Sequence, residues 1–344
     1  MKRERFVTPK TYFFGYPELN ESEVRRYLAD TQNEDFLKSM TAAREAGLSS
    51  AEILCSIFAK LCYKALTLGQ NANVTRTRDI ADNLANCFDT GHGSIFEHVM
   101  FNFVVSDCSR VFTHELVRHR VGVAFSQTSG RYCRLDHIPI IWDPILDPVK
   151  DMWDHHLQKT EDLVYLTECA LGLRVPTQEQ EERAYAPDYW VNCRAHAAPG
   201  CEDDSKWVPN DKMPFAQKKK LTSAIRRIAP NGQANEIAVS LNLRALRHTI
   251  LMRTNRVAEW EIRLVFNQIY QMLKPHYPTI FHGAKETMVE GLLEISGMKC
   301  QPYEKAADMV LDEMSDDELT LYIRTRPKTW NKIAAEGQFV DGVI

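Results

Sequence analysis

The sequence predicts an α+β fold, and three observations predict it. From Val99 to Val105 the residues Val99, Phe101, Phe103 and Val105 alternate with less apolar neighbours, the two-residue period of a strand with one buried face. Around this strand lie several longer stretches with apolar residues at helical spacing. No segment repeats at a fixed period and none is low in complexity, which sets aside solenoids and arrays.

Composition narrows the class. Of 344 residues, 44% are hydrophobic and 26% charged, the make-up of an ordinary globular protein with a sizeable core. The 42 Lys+Arg against 46 Asp+Glu leave a net charge of −4, which excludes a general binder of nucleic acid polymers or membrane surfaces. No run approaches the roughly 20 apolar residues of a membrane span. The start, MKRERFVTPKTYFFGY, is basic without the apolar run of a signal peptide. The nine cysteines are odd in number and scattered, so reduced thiols and a cytoplasmic location are expected.

Taken in order, Glu21 to Asp30 and Phe36 to Ala46 read as short helices. Ser49-Ser50-Ala51-Glu52 is a helix start with a serine cap and an acid in the first turn, and the helix is expected to run to about Leu68. Asp79 to Asp89 is a second helix, with Ile80, Leu84, Cys87 and Phe88 on one face. Gly91-His92-Gly93 reads as a turn leading into the Val99 strand. Ser109 then opens a helix with Val111, Phe112, Leu116 and Val117 inward, delivering Arg118, His119 and Arg120 at its C-terminal end. Pro148 to Leu173 reads as a helix contacting the core through Met152, Leu157, Leu163, Val164 and Leu171. Pro176 to Asp211 is charged and loop-rich, an insertion on the surface. Further helices are expected at Pro214–Ile228, Gln233–Arg253, Arg256–Leu273, Glu286–Ile295 and Asp316–Ile323.

The chemistry concentrates in Arg118 to Tyr132, RHRVGVAFSQTSGRY, where three arginines, a histidine and several hydroxyls surround two glycines. Arginine forks grip phosphate or carboxylate, and hydroxyls and free backbone N–H groups complete such a site. In a slightly acidic chain this local positive charge points to a phosphorylated ligand. A second group sits on the expected helix Gln233–Arg253, with Asn242 and Arg253 on one face and Arg244 and His248 on another. A helix with ligand-grade groups on two faces suits an oligomer interface. The third is His92, Ser94, Glu97 and His98. A metal site is not expected there, because Glu97 and His98 would open a strand and point to opposite faces, nor at Cys193, His196 and Cys201. No phosphate-binding glycine fingerprint and no nucleophile elbow is present.

These groups, in this order, resemble the flavin-dependent thymidylate synthases, the ThyX family. The resemblance lies in Gly91, His92, Ser94, Glu97 and His98, in Ser109-Arg110 followed by Thr113 to Arg120, and in Ser126-Gln127, Ser129 and Arg131-Tyr132. It continues in Ile225 to Pro230 and in Asn242, Arg244, Arg253, Ala258 and Glu261-Ile262-Arg263. It implies a ThyX-like core, a twisted mainly antiparallel sheet packed with long helices. The catalytic domain would be 1–278, with an inserted segment at about 140–213, and 279–344 would be a C-terminal helical extension. The implied reaction is reductive methylation of dUMP to dTMP, with methylenetetrahydrofolate as carbon donor and FAD, reduced by NADPH, as hydride donor. A homotetramer with shared active sites is implied as well.

The resemblance also implies roles. His92, Ser94, Arg118, His119, Arg120, Gln127, Asn242, Arg244 and His248 would hold FAD. Glu115, Arg118, Gln127, Thr128, Ser129, Gly130, Arg131, Arg226 and Arg253 would hold the nucleotide, and Arg253 would be the catalytic group, favouring ionisation of the uracil at N3. The chain departs from the family pattern in places. Eight residues separate Arg120 from Ser129, one more than usual, Lys60 and Cys62 stand where arginine and often serine are found, and Glu259 replaces a common glutamine. Two alternatives remain: C5 methylation of another pyrimidine nucleotide such as UMP, and a non-catalytic flavin- or nucleotide-binding protein.

Overall fold

A computed structural model describes residues 4–133, 135, 137–177, 207–277 and 279–299. Near the N-terminus, short strand β1 (Phe6–Val7) precedes β2 (Lys10–Gly15). Helices α1 (Glu21–Asp30) and α2 (Phe36–Glu45) follow as expected. Helix α3 (Ser50–Leu61) is opened by a reciprocal cap between Ser49 and Glu52, so the serine-acid signal was sound, although the helix ends a turn or more before Leu68. Asp79 caps α4 (Ile80–Thr90), which ends at Gly91 with φ 72°, a left-handed conformation that glycine adopts freely.

Strand β3 (Met100–Cys108) buries Phe101, Phe103, Val105 and Cys108, and Val99 just before it is buried too, as the alternation requires. Ser109 caps α5 (Arg110–Leu116), which is followed by β4 (Val123–Gln127). Phe112 and Leu116 of α5 are buried, but Val111 and Val117 are exposed, contrary to expectation: with only two turns, the core accepts one narrow stripe. β5 (Ile140–Ile141) pairs in parallel with β1, and α6 (Lys150–Ala170) packs Leu157 and Val164 into a second, smaller core with Leu135, Ile138, Ile140 and Trp142. Met152, Leu163 and Leu171 face outward instead of contacting it. Short strands β6 (Arg174–Val175) and β7 (Val208–Pro209) pair antiparallel, and α7 (Phe215–Ile225) ends in a single 3-10 turn at Arg226–Ile228.

The stretch expected as one helix, Gln233–Arg253, is two elements. β8 (Asn235–Asn242) is a strand, and α8 (Leu243–Arg253) begins where it stops. Ile237, Val239 and Leu241 alternate inward in β8, a period of two that the helical reading overlooked. β8 and β3 occupy the two inner positions of an antiparallel four-stranded sheet ordered β2-β3-β8-β4, with Val239 of β8 opposite Phe103 of β3 and Phe125 of β4. Helix α9 (Trp260–Leu273) packs its buried side, including Ile262, Phe266 and Ile269, into the core beneath the sheet. The arrangement is therefore α+β, with an antiparallel sheet and long helices.

Glu286–Ile295 is not a helix. It is a hairpin of β9 (Lys285–Val289) and β10 (Leu292–Ser296), turned by Glu290 and Gly291 at φ 53° and 79°. Two consecutive left-handed residues match the right-handed twist of the flanking strands. Asn267 of α9 clamps the hairpin by donating to the Leu293 carbonyl and accepting its N–H at 3.0 Å. Buried Arg247 donates to the carbonyls of Ile280, His282 and Lys299. Asp316–Ile323 and Cys193, His196 and Cys201 lie outside the described residues.

Candidate active site

The first cluster forms where α5 and α8 both end. Ser109 fixes α5: its Oγ accepts from the Phe112 N–H at 3.0 Å, while its own N–H and O–H donate to the carboxylate of Glu261 in α9. α5 then presents Glu115, and the turn after it presents Arg118, His119 and Arg120. Arg253, the last residue of α8, reaches across to them. Its Nε donates to His119 Nε2 at 2.8 Å, its Nη1 to Glu115 Oε2 at 2.9 Å, and its Nη2 to the Glu115 carbonyl at 3.3 Å. A donor at Nε2 requires a neutral imidazole with an unprotonated nitrogen there. Burial, the Arg253 charge and His248 together push His119 down to about 4, so the imidazole is neutral at ordinary pH. His248, with its ring 6.3 Å from that of His119, is lowered by burial and by the same arginine.

Carboxylates stand behind this pair. Glu259 caps α9, accepting from the Glu261 and Ile262 N–H groups at 2.8 and 3.2 Å, and burial raises its pKa. Burial also lifts Glu261 to about 7 despite the two hydrogen bonds from Ser109 that favour its charged form.

The second cluster is the loop after β4. Gln127 Nε2 donates to Thr113 Oγ1 at 3.1 Å, which ties the loop to the inner side of α5. The Thr128 N–H donates to the Glu236 carbonyl at 2.9 Å, and the turn closes when the Tyr132 N–H reaches the Ser129 carbonyl at 3.1 Å. A Cβ on Gly130 would lie 3.7 Å from both Arg110 Nη2 and Arg226 Cδ, so two guanidinium-bearing chains flank this glycine. The turn borders a cleft of about 270 Å³ lined by Arg110, Thr128, Gly130, His137 and Asn235. Among the described residues no carboxylate pairs with Arg118, Arg120, Arg131 or Arg226. Arg110 and Arg226 beside this glycine turn are groups able to grip an anion, although Asp107 and Glu236 line the same cleft.

The third cluster follows α4. Gly93 to His98 form a 3-10 turn, not the start of a strand, so the opposite-faces argument about Glu97 and His98 does not describe them. Glu97 instead accepts from Arg244 Nη1 at 2.6 Å, and His98 packs against Phe58 with ring centroids 4.5 Å apart and the rings tilted by 47°. Two glycines permit close approach here. A Cβ on Gly93 would come within 2.9 Å of Arg244 Nε, and one on Gly122, at φ 71°, within 2.2 Å of the Asn242 amide. His92 and Ser94 line a cavity of about 590 Å³ together with Lys60, Tyr63, Arg76 and Arg78. Lys60 is buried, its pKa is lowered chiefly by that burial, and it donates to the Arg78 carbonyl at 2.6 Å.

The sequence-predicted residues thus fall into three groups: Glu115, His119, His248 and Arg253; Gln127 to Arg131 with Arg226; and His92, Ser94, Asn242 and Arg244. Asn242 and Arg253 do not share a helix face, because Asn242 is the cap of α8, its Oδ1 accepting from the Ala245 N–H at 2.8 Å. The cavity residues Tyr63, Arg76 and Arg78 were missed. Their signal was Thr75-Arg76-Thr77-Arg78, a basic stretch immediately before the Asp79 cap.

The sequence profile of the family described as thymidylate synthase complementing protein matches residues 46–279, well over half of the chain and all three clusters. The chain belongs to this family, that of the flavin-dependent thymidylate synthases. A flavin-dependent thymidylate synthase from Clostridium tetani is 28% identical over 251 residues, covering 73% of this chain and 88% of that protein. One from Geobacter sulfurreducens is 25% identical, covering 72% and 88%. Among solved structures, the UMP/dUMP methylase PolB from Streptomyces cacaoi, bound with 5-Br dUMP, has a TM-score of 0.42 and 14% identity over 80% of this chain and 95% of that one. As a member of the flavin-dependent thymidylate synthases, this chain is a methyltransferase with a flavin cofactor.

Proposed function

We propose that this thymidylate synthase methylates dUMP at C5 to give dTMP, taking the carbon from methylenetetrahydrofolate and its reducing equivalents from NADPH through FAD. The observation that carries the reading is Arg253, a cation whose orientation is set by His119 and Glu115, next to Arg118 and Arg120, with which no carboxylate pairs among the described residues.

The residues present fit FAD. The glycine approaches at Gly93 and Gly122 hold Arg244 and Asn242 close to the backbone, leaving no room for a side chain there. The cavity beside His92 and Ser94 supplies further donors from Tyr63, Arg76 and Arg78. Arg118, Arg120, His119, Gln127 and His248 complete the set. Bound reduced flavin would supply a hydride.

The chain's own groups bind and polarise. Arg131 and Arg226, with Ser129 and the Gly130 backbone, take the nucleotide phosphate. Arg253 lies against the uracil and stabilises negative charge developing at N3, a fixed cation needing no reorganisation. Glu115 and Thr128 line the same nucleotide. Ser129 is a binding group: among the described residues no base accepts its hydroxyl proton, so a nucleophilic role has no support. Helix α8 carries Arg244 at its start and Arg253 at its end, on different faces, which suits a homotetramer with shared sites.

The test is twofold. Purified protein should be yellow, with oxidised-flavin absorbance bands, and should release dTMP from dUMP, methylenetetrahydrofolate and NADPH. Colourless protein, or a clear preference for UMP or dCMP over dUMP, overturns the reading.

A further inference from the structure

We propose that Tyr132, Phe215 and Lys219 form a subsite on the rim of the nucleotide cleft for the aryl-polyglutamate end of the folate, a flat benzoyl ring followed by a chain of carboxylates. The proposal rests on the folate reading above.

Helix α7 fully buries none of its residues: Ile225 packs partly on the second core, while Phe215 and Lys220 stay at the surface. Phe215, Lys219, Thr222 and Arg226 lie at i, i+4, i+7 and i+11, one stripe along the segment. Phe215 stands at one end of the stripe, and Arg226, at the other, flanks Gly130, which borders the cleft. Eleven residues at about 1.5 Å each place the two ends roughly 16 Å apart. In this proposal the carboxylate end of the folate leaves past the phosphate group held at Arg226 and runs along this stripe.

The rim carries groups matched to that ligand. Tyr132 and Phe215 have ring centroids 6.1 Å apart at 19°, yet they remain 57% and 67% exposed. Two aromatic faces side by side at the surface offer a flat ring a place to stack. Lys219 Nζ lies 4.8 Å above the Tyr132 ring, and its interaction with the hydroxyl lowers the phenol's pKa. Lys218 and Lys220 flank it; Lys218 meets only exposed Asp211, at 3.9 Å, and Arg227 follows Arg226. In a chain of net charge −4, this concentration of cations is local. A ring stacking on Phe215 followed by several carboxylates satisfies both features, whereas a nucleotide phosphate needs only the cleft.

The experiment compares methylenetetrahydrofolate as its monoglutamate and its pentaglutamate in steady-state kinetics at low salt. The wild type should show a KM at least about five-fold lower for the pentaglutamate, since each exposed charge pair contributes modestly. In Lys219→Glu the ratio should approach one, in Lys219→Arg it should return, and Phe215→Ser should raise KM for both forms. Equal KM values in the wild type, or an unchanged ratio in Lys219→Glu, overturn the subsite. Absence of turnover with either form refutes the folate reaction instead. Calorimetry of the same two folates with the flavin-loaded protein then decides the subsite alone: tighter pentaglutamate binding that Lys219→Glu weakens supports it, and equal binding sinks it.

Discussion

Arg253 Nε donates to His119 Nε2 at 2.8 Å, so the candidate catalytic cation is aimed by an imidazole that has to stay neutral. Removing that acceptor should leave the arginine charged but loosely oriented. His119→Ala is expected to lower turnover of dUMP about 10–100-fold, the range for losing a hydrogen bond that orients a charged group. Rates normalised to flavin content check this, because the ratio removes any loss of cofactor. Arg253→Ala should abolish turnover while the purified protein stays yellow; a colourless variant would place Arg253 in flavin binding instead.

The same imidazole makes stability depend on pH. His119 is lowered from 6.5 to about 4, so as pH falls through this window the unfolded chain takes up the proton first. The stability of the wild type relative to His119→Ala is therefore full above pH 6.5 and declines towards pH 4. Thermal midpoints of both proteins measured across that range give the difference directly.

Glu261 acts in the opposite sense. Its pKa is raised from 4.5 to about 7, so the folded protein holds a proton that the unfolded chain has released. The wild type should gain stability relative to Glu261→Gln as pH falls from 7 to 4.5 and lose it as pH rises back. A difference in midpoints that does not vary with pH would show that burial leaves this carboxyl untouched.

Gly122→Ala should be costly for two separate reasons. A left-handed φ costs an L-residue about 1–2 kcal/mol, and the new methyl would overlap the Asn242 amide. Denaturant melts should show a loss of at least about 1 kcal/mol, with reduced flavin content because Asn242 must move. Gly93→Ala meets Arg244 without the backbone penalty, so it should lower flavin content with a smaller loss of stability.

Arg247→Ala should destabilise the protein by about 3–5 kcal/mol, since it leaves the Ile280, His282 and Lys299 carbonyls without their buried donor. Hydrogen exchange at the β9–β10 hairpin is the readout, with protection lost there before it is lost in β3 and β8.

Much of the fold was legible where local signals act alone. The Ser49–Glu52 cap, the Asp79 cap and the Val99–Val105 alternation each fix an element through their own residues. The errors lie where tertiary context overrides local pattern. Ile237, Val239 and Leu241 read equally as one side of a strand or as part of an apolar helical run, and pairing with β3 and β4 decides between them. Lys285 to Ser296 becomes a hairpin because Glu290-Gly291 accepts a left-handed turn, and an acid in the first turn position hides that signal. At the site, the sequence grouped residues by motif. It could not show that Arg253 meets His119 and Glu115, 134 and 138 positions away, nor that the Thr75–Arg78 stretch faces His92.

The place where β8 passes directly into α8 constrains how this chain can change length. With Asn242 ending the strand and capping the helix, one inserted residue before Arg253 would swing its guanidinium about 100° around the axis and part it from Glu115. β4, an outer strand paired on one side only, carries no such burden, and the additional residue between Arg120 and Ser129 falls in the stretch that contains it. Natural or engineered insertions should therefore survive along that margin and fail within the last three turns leading to Arg253.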